Sequence, residues 1–238
     1  MRSRVLAALA IWWFPCGMAN LPLCAQEHDL SFIVKGNLTT SSQLFPNPNA
    51  EDPAVRATSY PIENIFGYGF EVRYHIPGSS IAIGASADLI RTTQSRSLSV
   101  AFQSAVPLED GYHVIPVELT GYFLIPASGP SFGIFMGGGI GVYFGERTYR
   151  MAGTEAGIVS SRAGLGIHVL GGVSYRLGDW FTLLAEMKFR DLQFKSTNAF
   201  SVPRIIYRGA VLTPPQQPFE SSVHTDGIIF QLGAAFNF

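Results

Sequence analysis

Acidic and basic side chains of this sequence lie within apolar segments, on the same alternating face as small residues. The acidic members of this set are Glu71, Asp88, Glu118 and Glu186, and the basic members are Arg73, Arg176, Lys188 and Arg190. A buried charge is costly unless it is paired, and the set holds both signs in equal numbers. It therefore predicts a network of ion pairs that fills a narrow interior. A transport path or a catalytic cleft is the alternative, for which we would expect a surplus of one sign.

Two histidines could support a second kind of chemistry, acyl-ester hydrolysis. His113 follows a pair of acidic residues, and His224 follows Ser221 and Ser222. A nucleophile with an adjacent base is what acyl-ester hydrolysis requires. The sequence holds no His-x-Ser arrangement of the kind found in lipid A deacylases, so we expect both histidines at exposed loop edges and no enzymatic activity.

Motifs for cofactors and nucleic acids are missing from the sequence. It contains no phosphate-binding loop, no HExxH and no CxxC, and the glycines at 137–139 are not followed by a helical pattern. With 16 basic against 17 acidic residues, the charge does not favour a nucleic-acid partner. We therefore expect no cofactor, no metal and no nucleic acid.

The elements that must position these residues are strands, because apolar residues alternate with polar or small ones. In 62–76, for example, Phe66, Tyr68 and Phe70 share one face and Gly67 and Glu71 the other. The same period predicts eight strands in all, at 28–39, 62–76, 81–90, 113–125, 131–144, 163–176, 181–195 and 224–238.

The connections between these strands alternate in length. Short turns are predicted at 77–80, 126–130 and 177–180, and long loops at 41–61, 91–112, 145–162 and 197–223. Short turns on one side and long loops on the other are typical of barrels in the bacterial outer membrane. The two proline-rich loops, 41–61 and 197–223, are the candidates for binding, since loops on a rigid scaffold often carry function.

The composition also favours a membrane. The chain has 238 residues, of which 47% are hydrophobic and only 14% charged, whereas charged residues make up about a quarter of a typical soluble domain. After the N-terminal segment no apolar run reaches the ~18 residues of a membrane helix. Entry into a membrane would therefore need strands closed into a barrel, because lipid offers no hydrogen bonds to an open edge.

The first residues resemble an export signal. Arg2 and Arg4 precede an apolar run, and a small-residue cleavage site follows Ala25. We expect a signal peptide at 1–25 and a barrel domain at 26–238; cleavage after Ala19 and acylation of Cys24 are the alternatives. With cleavage after Ala25, Cys16 and Cys24 both leave with the signal, so the mature domain is expected to contain no cysteine.

The pattern resembles the eight-stranded outer-membrane barrels, in the broad group of OmpA, OmpX and OmpW-like domains. The resemblance covers nearly all of 28–238 and is most specific in the last strand, which ends with Phe236 and Phe238 and is similar to the C-terminal signal read by the barrel-assembly machinery. The glycine-rich segment 133–145 also resembles the group.

This resemblance implies an all-β fold, an eight-stranded antiparallel up-and-down transmembrane β-barrel. It also implies an outer-membrane location, contact with membrane lipid and lipopolysaccharide, a monomer, and no cofactor. The leading expectation for function is a structural or interaction protein with a plugged lumen, acting through its extracellular loops. A narrow channel or conduit for small hydrophobic molecules is the second hypothesis, and a lipid A-modifying enzyme is the third.

Overall fold

Strands account for nearly all of the regular structure in the computed structural model, which describes residues 29–98, 105–126, 129, 131–225 and 227–238. The predicted signal peptide at 1–25 lies outside these residues. One short helix, α1 (Pro53–Arg56), accompanies the strands. The strands are β1 (Leu30–Phe45), β2 (Tyr60–His75), β3 (Ile81–Leu98), β4 (Val106–Ile125), β5 (Phe132–Met151), β6 (Thr154–Glu155), β7 (Gly157–Arg162), β8 (Gly164–Arg176), β9 (Phe181–Arg190), β10 (Leu192–Ala199), β11 (Ile205–Tyr207), β12 (Ala210–Leu212), β13 (Phe219–Thr225) and β14 (Ile228–Asn237).

Eight of the described strands form a closed antiparallel ring, in the order β1, β2, β3, β4, β5, β8, β9, β14. The ring closes where β14 pairs with β1, in a register that places Phe32 opposite Phe236. The predicted fold class is thus confirmed. Within the described part of the chain, no helix is long and apolar enough to cross a membrane.

The two faces of each ring strand differ as the alternation predicts. On β2, Phe66 and Tyr68 are 67% and 64% exposed on the outside, whereas Glu71 on the inside is 1% exposed. The outward rows of the other ring strands are likewise apolar over most of their length. They form a continuous belt of the kind that faces hydrocarbon in outer-membrane barrels.

The strands extend well beyond the belt on the side of the long connections, and here the predicted boundaries were wrong. β3 continues to Leu98, β4 begins at Val106 and β5 ends at Met151, so much of predicted loops 91–112 and 145–162 is strand. Predicted loops 41–61 and 197–223 are shortened in the same way by β1, β2, β10 and β13. The sequence signal fails because the outward residues become polar above the belt, as at Arg91 and Thr93, while the backbone pairing continues.

Above the belt the wall consists of two sheets rather than one ring. β2 and β3 pair only as far as Gly67 and Ile90, and β5 and β8 only as far as Tyr143 and Gly164. Beyond these points β3, β4 and β5 form one sheet, and β2, β1, β13, β10 and β7 form the other.

Side chains of β10 close the junction between these sheets. The backbone N–H of Arg147 donates to Ser196 Oγ at 3.2 Å, and Asn198 Nδ2 donates to the carbonyl oxygen of Arg147 at 3.0 Å. They satisfy backbone groups of β5 that have no strand partner there, as buried backbone requires.

We expect the wall to be sensitive to added volume where two strands approach over a glycine. A Cβ at Gly139 would overlap the backbone carbonyl oxygen of Leu119, whereas a Cβ at Gly36 would be 4.0 Å from its nearest neighbour, the carbonyl oxygen of Leu232. Gly139→Ala should lower the free energy of unfolding in detergent by ~1–3 kcal/mol, and Gly36→Ala should leave it nearly unchanged. Equal effects of the two substitutions would contradict the register described for β4 and β5.

Candidate functional site

The inward side chains of the ring form successive layers along the barrel axis. Nearest the short turns is an apolar layer, in which aromatic and aliphatic side chains from most of the ring strands pack together. Its buried members are Ile33, Ala82, Tyr122, Phe135, Leu170, Leu184 and Ala235. This layer separates the interior from the short-turn end of the barrel.

A cluster of four charges lies directly above this layer. Lys35 Nζ is 2.5 Å from Glu71 Oε2 and 2.6 Å from Glu186 Oε2. Arg73 contacts the same two carboxylates, with Nε 2.7 Å from Glu71 Oε1 and Nη2 2.9 Å from Glu186 Oε1. Each cation therefore touches both anions, and the cluster is neutral. The Arg73 guanidinium also stacks on the Tyr122 ring of the apolar layer, 3.8 Å from its centroid.

A second neutral cluster follows toward the long-loop end. Arg190 crosses the lumen between two strands, with Nη2 2.6 Å from Asp88 Oδ2 and Nε 2.6 Å from Glu118 Oε1. Lys188 Nζ lies 2.8 Å from the other oxygen of Glu118. His168 Nε2 shares a 2.8 Å hydrogen bond with Thr120 Oγ1 beside this cluster. All four charged groups are almost completely buried.

Glycines on the inner face make room for these charges. The Asp88 carboxylate lies over Gly69, where a Cβ would overlap it, and Glu71 lies over Gly84. Glu118 and the Tyr143 ring cover Gly141 in the same way. The inward glycines are therefore required for ion pairs to fit in a lumen that side chains otherwise fill.

A larger apolar layer covers the second cluster. It combines aliphatic side chains with three aromatic rings, all buried. Its members are Leu44, Ile62, Ile65, Ile90, Tyr112, Val114, Tyr143, Leu192, Phe194 and Val223. Both charged clusters thus lie between two apolar layers.

A further ion pair sits above this layer, beyond the belt. Arg147 donates to Asp110 through Nε at 2.8 Å and Nη2 at 2.6 Å, a bidentate arrangement. Burial opposes the charge of Arg147, but the hydrogen bonds and charge of Asp110 raise its pKa above the ordinary value. Burial likewise raises the pKa of the neighbouring Tyr60 and Tyr149 hydroxyls. Arg147 therefore remains charged, and the two tyrosines neutral, at any physiological pH.

The structure assigns the predicted lumen residues to different places. Glu71, Arg73 and Glu186 lie in the first cluster, and Asp88, Glu118, Lys188 and Arg190 lie in the second. Arg176 lies outside both clusters: it is exposed, because it is the last residue of β8 and its side chain reaches the water beyond the short turn.

Three participants were not in the predicted network. Lys35 completes the first cluster. The alternation of residues along β1 places Lys35 on the inward face, but it does not indicate which carboxylates Lys35 contacts. Asp110 and Arg147 form the outermost pair, and no sequence pattern indicated them, because both fell in predicted loops.

The terminal aromatic residues lie on the outside, at the short-turn end. The Phe236 ring packs on Phe181 at 5.5 Å and on Trp180 at 6.2 Å between centroids, and the Phe238 ring packs on Phe32 at 5.7 Å. Aromatic rings in this position suit the boundary between lipid and water.

The two histidines considered for catalysis are on the outer face, above the belt. His224 Nε2 lies 2.9 Å from Ser222 Oγ. His113 stands opposite Arg91 on β3 and Glu146 on β5. Ser222 and His224 are two residues apart on one strand, a spacing at which any such pair shares a face.

Comparison with known proteins finds similarity in structure but none in sequence. No protein-family model matches the chain, and no curated protein matches it. Among solved structures it is similar to the outer membrane protein OprG from Pseudomonas aeruginosa, with a TM-score of 0.54 and 14% identity over 90% of this chain and 99% of that one. It is also similar to the outer membrane protein AlkL, solved in lipid bilayers, with a TM-score of 0.50 and 13% identity over 96% of this chain and 97% of that one. The chain therefore has the fold of the eight-stranded outer-membrane barrels.

Removing one member of a charged cluster should be far more harmful than removing an exposed charge. Glu118→Ala leaves Lys188 and Arg190 without their shared carboxylate, which should cost ~3–5 kcal/mol of unfolding free energy. Arg176→Ala, at the exposed end of β8, should change it by less than about 0.5 kcal/mol. Urea titration of the folded protein in detergent measures both.

A double substitution tests whether the stability lost in Glu118→Ala comes from buried cations left without a partner. Replacing Glu118 and Lys188 together by Leu and Met should be less harmful than Glu118→Ala alone, because no lysine charge is then left unpaired and Arg190 keeps its contact with Asp88. If Glu118→Ala were as mild as Arg176→Ala, the cluster would not be a buried network.

Proposed function

We propose that this chain is an outer-membrane protein whose barrel is closed to flow along its axis and whose activity lies at the extracellular end. The observation that carries this proposal is that two clusters of ion pairs, each with a net charge of zero, lie between two apolar layers. An ion or a polar solute on the axis would have to displace side chains of every layer in turn. The barrel then serves as a rigid anchor, and the activity belongs to the rim and loops that it holds outside the membrane.

The outer surface supports the location. Its apolar belt, with aromatic rings at the short-turn end, matches the surface expected against hydrocarbon and lipid headgroups. We propose that the belt contacts outer-membrane lipid and that the polar rows above it, such as Arg91 and His113, face lipopolysaccharide. Export through the N-terminal signal peptide, insertion by the barrel-assembly machinery through the strand that ends in Phe236 and Phe238, and a monomeric state are part of the same proposal.

The extracellular end supports binding rather than catalysis. The long connections are largely drawn into a β-structured rim, held by the Asp110–Arg147 pair and by the Ser196 and Asn198 hydrogen bonds. Such a rim presents its remaining loops in fixed positions, which favours recognition because little order has to be gained on binding. The Ser222–His224 contact is a hydrogen bond of this rim.

A planar-bilayer recording tests the closed lumen. The protein as it stands should give no resolved conductance steps, because both apolar layers exclude ions. A variant that loses rings from both layers, with Tyr112, Phe194 and Tyr122 each changed to Ala, should conduct. Tyr68→Ala is the matched control, since it removes an equal ring from the lipid-facing side and should leave the lumen closed. Steady steps from the unmodified protein would contradict the proposal.

A second candidate is a lateral conduit for small hydrophobic molecules, and one feature of the wall favours it. The pairing of β3 with β4 is interrupted where Asp88 and Leu89 face Ile115 and Pro116, since proline has no backbone N–H to donate. This interruption lies at the level where the larger apolar layer meets the second charged cluster. On the outer wall beside it, a groove of about 730 Å³ extends from Ala85 and Val117 to Leu165 on β8 and is lined mostly by apolar residues. A hydrophobic molecule that entered from the extracellular end would be stopped by the charges and could leave sideways.

Restoring the missing hydrogen bond tests this conduit. Pro116→Val supplies the absent N–H at similar volume, and it should slow uptake of a hydrophobic fluorescent dye by intact cells several-fold. Pro107→Val, higher on the same strand, is the control. Uptake that equals that of cells without the protein, in the unmodified form, would rule the conduit out and leave the first proposal in place.

A further inference from the structure

A two-stranded hairpin stands apart from the barrel within the connection between β10 and β13. β11 and β12 pair so that Ile206 lies opposite Val211. The turn between them places Arg208 and Gly209 at φ values of 49° and 82°, a left-handed pair typical of tight hairpins. The hairpin is therefore a defined structure and not a loose loop.

The two faces of this hairpin differ sharply. On the inner face Ile205 and Ala210 are buried, whereas on the outer face Ile206 is 77% exposed and Val211 61% exposed. Ile206 is thus more exposed than most side chains of the lipid-facing belt. Exposing two neighbouring aliphatic side chains to water is unfavourable in free energy, and a binding partner that covered them would remove this cost.

Two arginines flank the aliphatic pair. Arg204 and Arg208 alternate with Ile206 along the chain, both are exposed, and neither forms an ion pair with another described residue. The Arg208 guanidinium lies 5.4 Å from the centroid of the Tyr207 ring. Aliphatic side chains bracketed by cations, with an aromatic ring beside them, have the composition that binds the interface of an anionic membrane.

The length of β10 bears on whether the hairpin contacts the membrane that holds the barrel or another lipid surface. β10 rises for eight residues above the belt, which at ~3.3 Å per residue and a tilt of ~40° is roughly 20 Å. Its outward side chains Gln193, Lys195 and Thr197 are polar. The strand that leads to the hairpin therefore ends well above the belt.

We infer that the hairpin docks on an anionic lipid surface outside the cell, with Ile206 and Val211 entering between headgroups and Arg204 and Arg208 contacting phosphates. This inference rests on the proposed function, in which the extracellular end carries the activity. It names the partner as a phosphate-bearing lipid surface.

Co-sedimentation with vesicles tests the inference. The full-length mature protein is placed in nanodiscs of neutral phosphatidylcholine, so that its own bilayer carries no charge, and is mixed with vesicles of phosphatidylcholine or of equal parts phosphatidylcholine and phosphatidylglycerol. Binding should be confined to the anionic vesicles and should weaken as salt is raised. Arg204→Glu with Arg208→Glu should weaken it by about twenty-fivefold or more, at about fivefold for each charge removed.

The aliphatic pair and a control complete the design. Ile206→Ser with Val211→Ser should also weaken binding, at low and high salt alike, because the apolar contribution is not screened. Val55→Ser with Arg56→Glu alters an exposed apolar residue and an exposed cation on α1 at the same end, and should leave binding intact. Equal binding to neutral vesicles, or loss in the α1 variant as large as in the hairpin variants, would overturn the inference. A closed lumen in the bilayer recording would still stand in that case, so the two failures can be told apart.

Discussion

A charge inside an eight-stranded barrel must find its counter-charge across the lumen, and this requirement organises the rest of the structure. Lys35 and Arg73 each contact both Glu71 and Glu186, and Arg190 bridges Asp88 and Glu118. The contacts of Glu186 with Lys35 and Arg73, and those of Arg190 with Asp88 and Glu118, join strands that are distant in sequence. These ion pairs therefore fix how the ring closes. The inward glycines follow from the same requirement, since they leave the space that the charged side chains occupy.

The order of the layers supports the proposal that the filled lumen is also closed. Apolar layers on either side keep water from the charged clusters, and low local polarity strengthens attraction within each cluster. Neutrality of each cluster keeps the cost of burial bounded. Beyond the belt the same principle continues in the Asp110–Arg147 pair, where the wall divides into two sheets and side chains replace part of the backbone pairing. The rim at the long-loop end is therefore held by side-chain contacts as well as by backbone pairing, and the hairpin is part of this end of the chain.

Sequence patterns predicted the ring because lipid outside and side chains inside impose a period of two on each ring strand. That period also placed Glu71, Glu118 and Arg190 on the inner face. It could not predict which charges meet, because partners across the lumen depend on strand tilt and stagger. It failed above the belt, where both faces of β3 and β4 are polar or mixed, and so Asp110 and Arg147 were assigned to loops. For Arg176 the period of two predicts the inner face of the strand but not the position along the barrel axis. That position decides whether a charged side chain is paired in the lumen or exposed to water.

The contact between Lys188 and Glu118 joins β9 to β4 across the barrel and is the most direct test of an ion-paired lumen. Solid-state NMR of the protein in lipid bilayers, with ¹⁵N in the lysine side chains and ¹³C in the glutamate carboxyls, measures this contact. We expect a ¹⁵N–¹³C dipolar coupling between Lys188 Nζ and the Glu118 carboxyl carbon, as a direct contact of 2.8 Å between Nζ and Oε2 requires. This Lys188 coupling should be lost in Glu118→Gln with Lys188→Met and retained in Arg176→Ala. A lysine ammonium that instead exchanges rapidly with water and shows no coupling to a carboxyl would contradict a closed, ion-paired lumen.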